Sequence, residues 1–351
     1  MYNSDYKRYD TASGLPPEWD GLTGDNPYMR REFLVFLEKE IPCGQAYYIF
    51  YGTDGAPDTI FATLRNKKFN IGMLTKRKLI ADMTLVYFPV WVKRPGIILG
   101  KERAADALKF IKKTKGFKML LCIPDPNIKS GYIKGNSAPA CMLDIRWDGF
   151  DGYMNDLRSG YRYRYNKALK KSSALRKTVL ADNAGFSEEL YGLYEQVERN
   201  AKIKIDKLPI GFFRSNFFKI LVFSDPGGKP VGFVQILENG EELIFEFTGF
   251  DYAVNAEFQV YHRMLLEIIR YAIEGGFKRV DFGQTADDTK LKLGCRYEYL
   301  NLYINHFNPF VNFIYRILAR FLDYRPLKPE FNVFKETSLH DETPSRGEEL
   351  P

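Results

Sequence analysis

Asp281 closes the segment FKRVDFG, and Glu246 lies inside the apolar run LIFEFTGF, so two carboxylates stand on predicted strands. A carboxylate drawn into an apolar strand loses hydration, which raises its pKa toward the range where it can exchange a proton near neutral pH. Each has a plainer reading, Asp281 as a cap for the turn DFGQT and Glu246 as an outward residue of an edge strand. Position favours Asp281 by a small margin, because open α/β sheets place ligands beyond the carboxyl ends of their strands. A third feature is RSGYRYRYNKALKKSSALRK, residues 158–177, where Arg158, Arg162, Arg164, Lys167, Lys170, Lys171, Arg176 and Lys177 occur without one acidic residue. With Tyr161, Tyr163 and Tyr165 interleaved, it reads as an anion site or as a solvated helix face.

Several other chemistries are excluded. No G-x-G-x-x-G follows a strand, and neither a G-x-S-x-G elbow nor an H-E-x-x-H pair occurs. Gly227-Gly228-Lys229-Pro230 lacks the upstream glycine and the hydroxyl of a phosphate loop and reads as a hairpin turn. Cys43, Cys122, Cys141 and Cys295 are scattered and only three His are present, so reduced thiols and no metal are expected. A net charge of +7 on 351 residues is far below that of a dedicated nucleic-acid binder, and no DNA partner is expected. The 45% apolar fraction, with 28 Phe and 23 Tyr, supplies a large core, yet no uncharged run reaches the ~18 residues of a spanning helix. The first residues carry no apolar core of a cleaved signal, which makes the cytoplasm the expected compartment.

The elements that must position these residues follow from periodicity. YMRREFLVFLEKEI, behind Asp25 and Asn26, predicts the first helix, while residues 1–27 and the polar tail read as loosely ordered. QAYYIFYG, TIFATLRN and MTLVYFPVWV predict strands, followed by the helix ERAADALKFIKKTKG and the strand FKMLLCI. FFKILVFSD, VGFVQILE, LIFEFTGF, the helix NAEFQVYHRMLLEIIRYAIEGG and FKRVDFG repeat that order. Gly116-Phe117-Lys118 and Gly276-Phe277-Lys278 join helix to strand in both copies, which points to an internal duplication. FNPFVNFIYRILARFLDY reads as an amphipathic helix with Phe310, Ile314, Ile317, Leu318 and Phe321 on one side, for core docking or for interfacial membrane attachment.

LDIRWDGFDGYMNDLRSGYRYRYNKALKK, and VDFGQTADDTKLKLGCRYEYLNLYINHFNP with its D-F-G and the K-x-x-x-G of Lys290 and Gly294, carry a resemblance. On these residues the chain resembles the duplicated GNAT-fold acyltransferases, the group that includes Fem-like peptidoglycan-bridge aminoacyltransferases, over residues 28–310. The resemblance implies an α/β (mixed α+β) fold of two tandem GNAT-like domains, 28–145 and 146–310. An N-terminal extension (1–27) would precede them, and an amphipathic helix (311–335) and a flexible tail (336–351) would follow. It further implies transfer of an acyl or aminoacyl group to an amine of a cell-envelope precursor or small molecule, with Asp281 or Glu246 as base and Tyr261 protonating the leaving group. Arg162, Lys167, Asn255, Gln284 and Lys290 would bind the donor. DYAVNAE departs from the Q/R-x-x-G-x-G/A loop of simple GNAT enzymes, and no long charged helical hairpin interrupts residues 168–220. Acyl-CoA is the favoured donor and aminoacyl-tRNA the alternative, with no tightly bound cofactor. Peripheral contact with the inner face of the membrane is a further expectation. The competing class is a non-catalytic binder of envelope precursors or membrane-surface anions.

Overall fold

The computed structural model describes residues 6–70, 80–124, 128, 131–201, 207–319 and 331–335. The first part of the chain runs through β1 (Tyr6–Tyr9), α1 (Arg31–Glu40), β2 (Ala46–Tyr51), β3 (Pro57–Asn70), β4 (Ile80–Val86), β5 (Ile97–Ile98), α2 (Ala104–Lys113), β6 (Phe117–Ile123), β7 (Ile133–Asn136) and β8 (Ala140–Asp144). The second continues through α3 (Phe150–Asp156), α4 (Ser159–Lys171), β9 (Arg176–Val179), α5 (Glu188–Asn200), α6 (Ile210–Phe213), β10 (Lys219–Ser224), β11 (Pro230–Asn239) and β12 (Glu242–Phe250). It closes with α7 (Tyr252–Phe258), α8 (Val260–Glu274), β13 (Arg279–Asp281), α9 (Asp287–Leu291), β14 (Arg296–Glu298), β15 (Asn301–His306) and α10 (Pro309–Ala319).

Two mixed sheets share one order. The first is β1-β2-β3-β4-β6-β15-β7, with β5 on β3, and the second, read from the corresponding edge, is β9-β10-β11-β12-β13-β8-β14. Each has a single parallel pair, β4 with β6 and β12 with β13, and each parallel pair is joined through a helix, α2 or α8. The sixth place in each sheet is filled from the other part of the chain: β8 lies beside β13, and β15 beside β6. The two sheets therefore exchange a strand.

Alternation along the strands divides the core. In β2, Tyr47 and Ile49 join a cluster drawn from both sheets, whereas Phe50 faces Leu108 and Ile111 of α2. In β11, Phe233 and Leu237 join that shared cluster, whereas Val234 and Ile236 face Met264 and Ile268 of α8. Helices α2 and α8 thus cover the outer face of their own sheet, and α1, α5 and α6 fill the space between. A buried Leu, Ile or Phe in such a cluster contributes about 1.5–3 kcal/mol. The helix-to-strand junctions also correspond. Gly276 (φ +70°) donates to Ile273 and Phe277 to Ala272, closing α8 with a left-handed glycine, and Gly116 (φ +87°) occupies the same conformation before β6.

Three sequence expectations are corrected. Residues 6–27 are packed: β1 pairs with β2, and Trp19 is buried, its indole donating to the Met29 carbonyl at 2.6 Å. The first helix starts at Arg31, because Pro27–Met29 forms a separate 3-10 turn and Asp20, rather than Asp25 or Asn26, accepts from the Arg31 backbone and side chain at 2.8 and 2.9 Å. The C-terminal helix spans Pro309–Ala319, and residues 331–335 are non-helical, with Phe334 bridging to Leu157. Gly294 (φ +96°) leaves the room for the Phe334 ring that a Cβ would fill. The tail 336–351, and Phe321 at the far end of the expected apolar stripe, lie outside the described residues.

Candidate active site

The parallel pairing of β12 with β13 covers Glu242 with Arg279, Leu243 with Val280 and Ile244 with Asp281. There β13 ends and its chain turns toward β8, Phe282 donating to Cys141 at 2.9 Å, while β12 runs on beside β11 to Phe250. The two strands therefore part after Ile244. At the parting the β11–β12 register slips by one residue, Gln235 pairing with Phe247 and Ile236 with Phe245, so Glu246 is the extra residue of a bulge. The bulge turns Glu246 to the face shared with the first sheet, where its Oε1 accepts from the Tyr28 hydroxyl at 2.5 Å.

Burial pushes the Glu246 carboxyl up to about 8, the Tyr28 hydrogen bond opposing the rise and the Asp281 carboxyl adding to it. Glu246 nevertheless keeps part of its surface accessible, and among the described residues its carboxylate pairs with no cation. Burial, with Glu246 beside it, likewise holds the Tyr28 phenol well above its ordinary pKa, so it remains a donor. Asp281 is different, being 1% exposed and lying 3.3 Å from the Lys93 ammonium. Burial raises its pKa, Lys93 pulls it back, Glu242 raises it, and the Gly283 N–H, donating at 2.7 Å, lowers it. Glu242 is held in turn by Arg94, by Arg279 at 3.0 Å and by Lys93 at 3.5 Å, and Lys93 also reaches Glu298 at 3.3 Å. Asp281 is thus a member of a neutralised buried network, whereas Glu246 titrates beside the parted strands.

The remaining predicted residues fall in three places. Arg162, Lys167, Asn255 and Tyr261 lie on or beside the packed helices α4, α7 and α8. Gln259 (φ +51°) breaks α7 from α8, and the Asn255 Oδ1 accepts the Tyr261 backbone N–H at 3.0 Å, capping the first turn of α8. Lys171 reaches the Ala256 carbonyl at 3.2 Å, Arg162 donates to Asn155 at 3.2 Å, and Lys167 is exposed. Burial and the nearby Arg164 pull the His262 pKa down, which places that guanidinium close to the start of α8. The Tyr261 ring stacks on Phe250, 5.3 Å between centroids, on the outer face of the sheet and opposite to Glu246. Burial keeps its phenol protonated. Gln284, just beyond Asp281, donates to the Ala138 carbonyl. Lys290 is buried, faces the Gln284 carbonyl at 3.0 Å and has its pKa lowered by burial, so its ammonium points into the protein rather than to solvent.

Three neighbours went unremarked in the sequence. Tyr28 and Lys93 come from the first part of the chain, and only long-range packing brings them to β12 and β13. Gln235 is fully buried opposite the bulge with neither side-chain polar atom hydrogen-bonded. A glutamine between Val234 and Ile236 was its only advance signal. Among the described residues, no cluster of three or more His, Cys, Asp or Glu is arranged to hold a metal ion.

Residues 156–291 match the family described as acetyltransferase (GNAT) domain. No curated protein matches the sequence. Among solved structures, L-PGS from Bacillus licheniformis is 12% identical with a TM-score of 0.50, covering 83% of this chain and 95% of that one. FemX is 12% identical with a TM-score of 0.50, over 80% of this chain and 96% of that one. Saccharomyces cerevisiae N-myristoyltransferase with bound myristoyl-CoA is 10% identical with a TM-score of 0.50, over 87% and 83%. These likenesses establish the fold. The matched span, which holds the parted strands, the bulge and α8, is similar to a GNAT acetyltransferase domain.

Proposed function

We propose that this chain transfers an acyl group from an acyl-CoA to an amine of a cell-envelope precursor or small molecule, with Glu246 as the base. The observation that carries the reading is the position of Glu246: a carboxyl of pKa about 8, partly accessible, on the bulge where β12 and β13 separate. Alignment of amine and thioester in that gap supplies much of the rate. The amine nitrogen attacks the thioester carbonyl, the C–N bond forms, the ammonium proton passes to Glu246, and collapse breaks the C–S bond. Tyr261, protonated on the other face of β12, delivers a proton to the departing thiolate. Asp281 acts as a positioning residue that fixes Lys93 and the Gly283 turn. Arg162 and Lys167, with Asn255 at the entrance to α8, hold donor phosphates. Gln284 and Lys290 shape the loop beneath the donor. The myristoyl-CoA of the structurally similar yeast enzyme supports this donor class.

The test is a panel of acyl-CoAs and charged tRNAs, each with primary amines, read by mass of the acylated product and by thermal shift. An acyl-CoA that raises the melting temperature and yields product, with turnover lowered about 100-fold or more in Glu246→Gln, is the expected result. Stabilisation and transfer with a charged tRNA alone would reassign the donor. Unchanged turnover in Glu246→Gln would remove it as base.

A further inference from the structure

Helix α10 breaks the rule that an apolar helix is buried. Its sequence, PFVNFIYRILA, has Asn312 and Arg316 as its only polar residues. Tyr315 anchors it, buried against the Phe117 ring at 5.9 Å, and Asn312 ties it back by accepting the His306 N–H at 3.1 Å. The opposite side is open: Phe310 is 70% exposed and Phe313 61%, and Ile314, Ile317 and the preceding Phe307 are exposed beside them. Five large apolar side chains on one side of a short helix form a patch that water disfavours.

The surroundings identify what covers it. The Phe307 ring lies 5.9 Å from the Lys118 ammonium, and its N–H approaches the Gly116 carbonyl at 3.4 Å, which places exposed Lys115 at the rim. Helix α10 also packs on β7, whose Lys134 is exposed, and Arg316 is exposed on the helix itself. Among the described residues of 109–123, 131–136 and 301–319, Lys and Arg occur repeatedly and no Asp or Glu occurs. A second copy seated symmetrically here would bring these cations together, which is unfavourable. An apolar stripe bordered by cations instead matches an anionic lipid surface, acyl chains meeting the aromatics and headgroups meeting the ammonium and guanidinium groups. Among the described residues, no helix is long and apolar enough to cross a membrane.

We infer that α10 docks the protein peripherally on an anionic bilayer, with Phe310, Phe313, Ile314 and Ile317 lying at the headgroup boundary. The experiment is co-sedimentation of the full chain with vesicles of phosphatidylcholine alone and of phosphatidylcholine containing phosphatidylserine. Binding to the serine-containing vesicles, weakened by added salt and absent with phosphatidylcholine alone, is expected. Phe310→Ser/Phe313→Ser should lower the partition coefficient at least tenfold, and Lys115→Glu/Lys134→Glu should lower it several-fold, both with unchanged circular dichroism and melting temperature. Should the serine double variant fail to fold, the lysine pair carries the test alone. Equal binding of parent and folded variants overturns the inference, as does failure of the parent to bind. A concentration-dependent dimer that the serine variant dissociates would assign the face to a second copy instead.

Discussion

The two sheets repeat one order of strands, yet the entrances to their outer helices have opposite electrostatics. Pro57 and Pro230 occupy matching places, each opposite the last residue of the preceding strand, so Asp58 corresponds to Val231. Asp58 accepts the backbone N–H groups of Glu102 and Arg103 at 3.2 and 2.8 Å, just ahead of α2. Burial would raise its pKa, but the bonds from Arg103, Glu102, Thr59 and Lys101 outweigh burial and lower it. The first half thus fills the approach to α2 with its own carboxylate. In the second half Val231 is buried in the core, and the start of α8 is flanked by the cations of α4. The duplicated frame therefore keeps an anion-compatible helix entrance on one side and closes it with an internal anion on the other.

This contrast can be broken at several points. The largest effect is expected where the halves are tied together. Lys93→Ala leaves Asp281 without its cation, and denaturant unfolding should show a loss of about 3–5 kcal/mol, as for other broken buried pairs. A loss below about 1 kcal/mol would mean that the network is not neutralised by Lys93. Next, Arg162→Ala/Lys167→Ala should weaken acyl-CoA binding about tenfold by calorimetry, or about 1.4 kcal/mol, while Asp58→Ala leaves it unchanged. The reverse pattern would move the donor to the first half. The smallest effect is on stability at the closed entrance, where Asp58→Ala should cost about 1 kcal/mol, the usual value of a lost cap. That cost should fade as pH falls below the ordinary carboxylate range, since Asp58 stabilises the fold only when ionised.

Local features were legible in sequence. The meander turns, the amphipathic pattern of α8 and the two Gly-Phe-Lys junctions depend on neighbours in the chain. The exchange of β8 and β15 was not, because no local preference says which sheet a short apolar strand will enter. The same holds for the site. An apolar strand around Glu246 foretold a raised pKa, but the hydroxyl that meets it comes from Tyr28, 218 positions away. Sequence position favoured Asp281, and nothing near it in the chain announced that Lys93 would neutralise it. The exposed face of α10 was visible as periodicity, yet core docking and lipid contact give the same pattern.

Glu246 is the centre of this account, and its ionisation supplies a signature that a structural carboxylate lacks. A carboxyl raised in the fold favours the folded state at low pH, and that advantage is lost as pH rises from its unfolded value of 4.5 through about 8. Catalysis should run the opposite way, because the base works only when deprotonated. The decisive measurement is the pH dependence of kcat/KM for wild type and Glu246→Gln with a competent acyl-CoA and an amine whose own pKa lies well outside the range scanned. The account predicts a wild-type limb rising to a plateau through about pH 8, and a residual activity in the variant without that limb. A wild-type limb that persists unchanged in Glu246→Gln would contradict it.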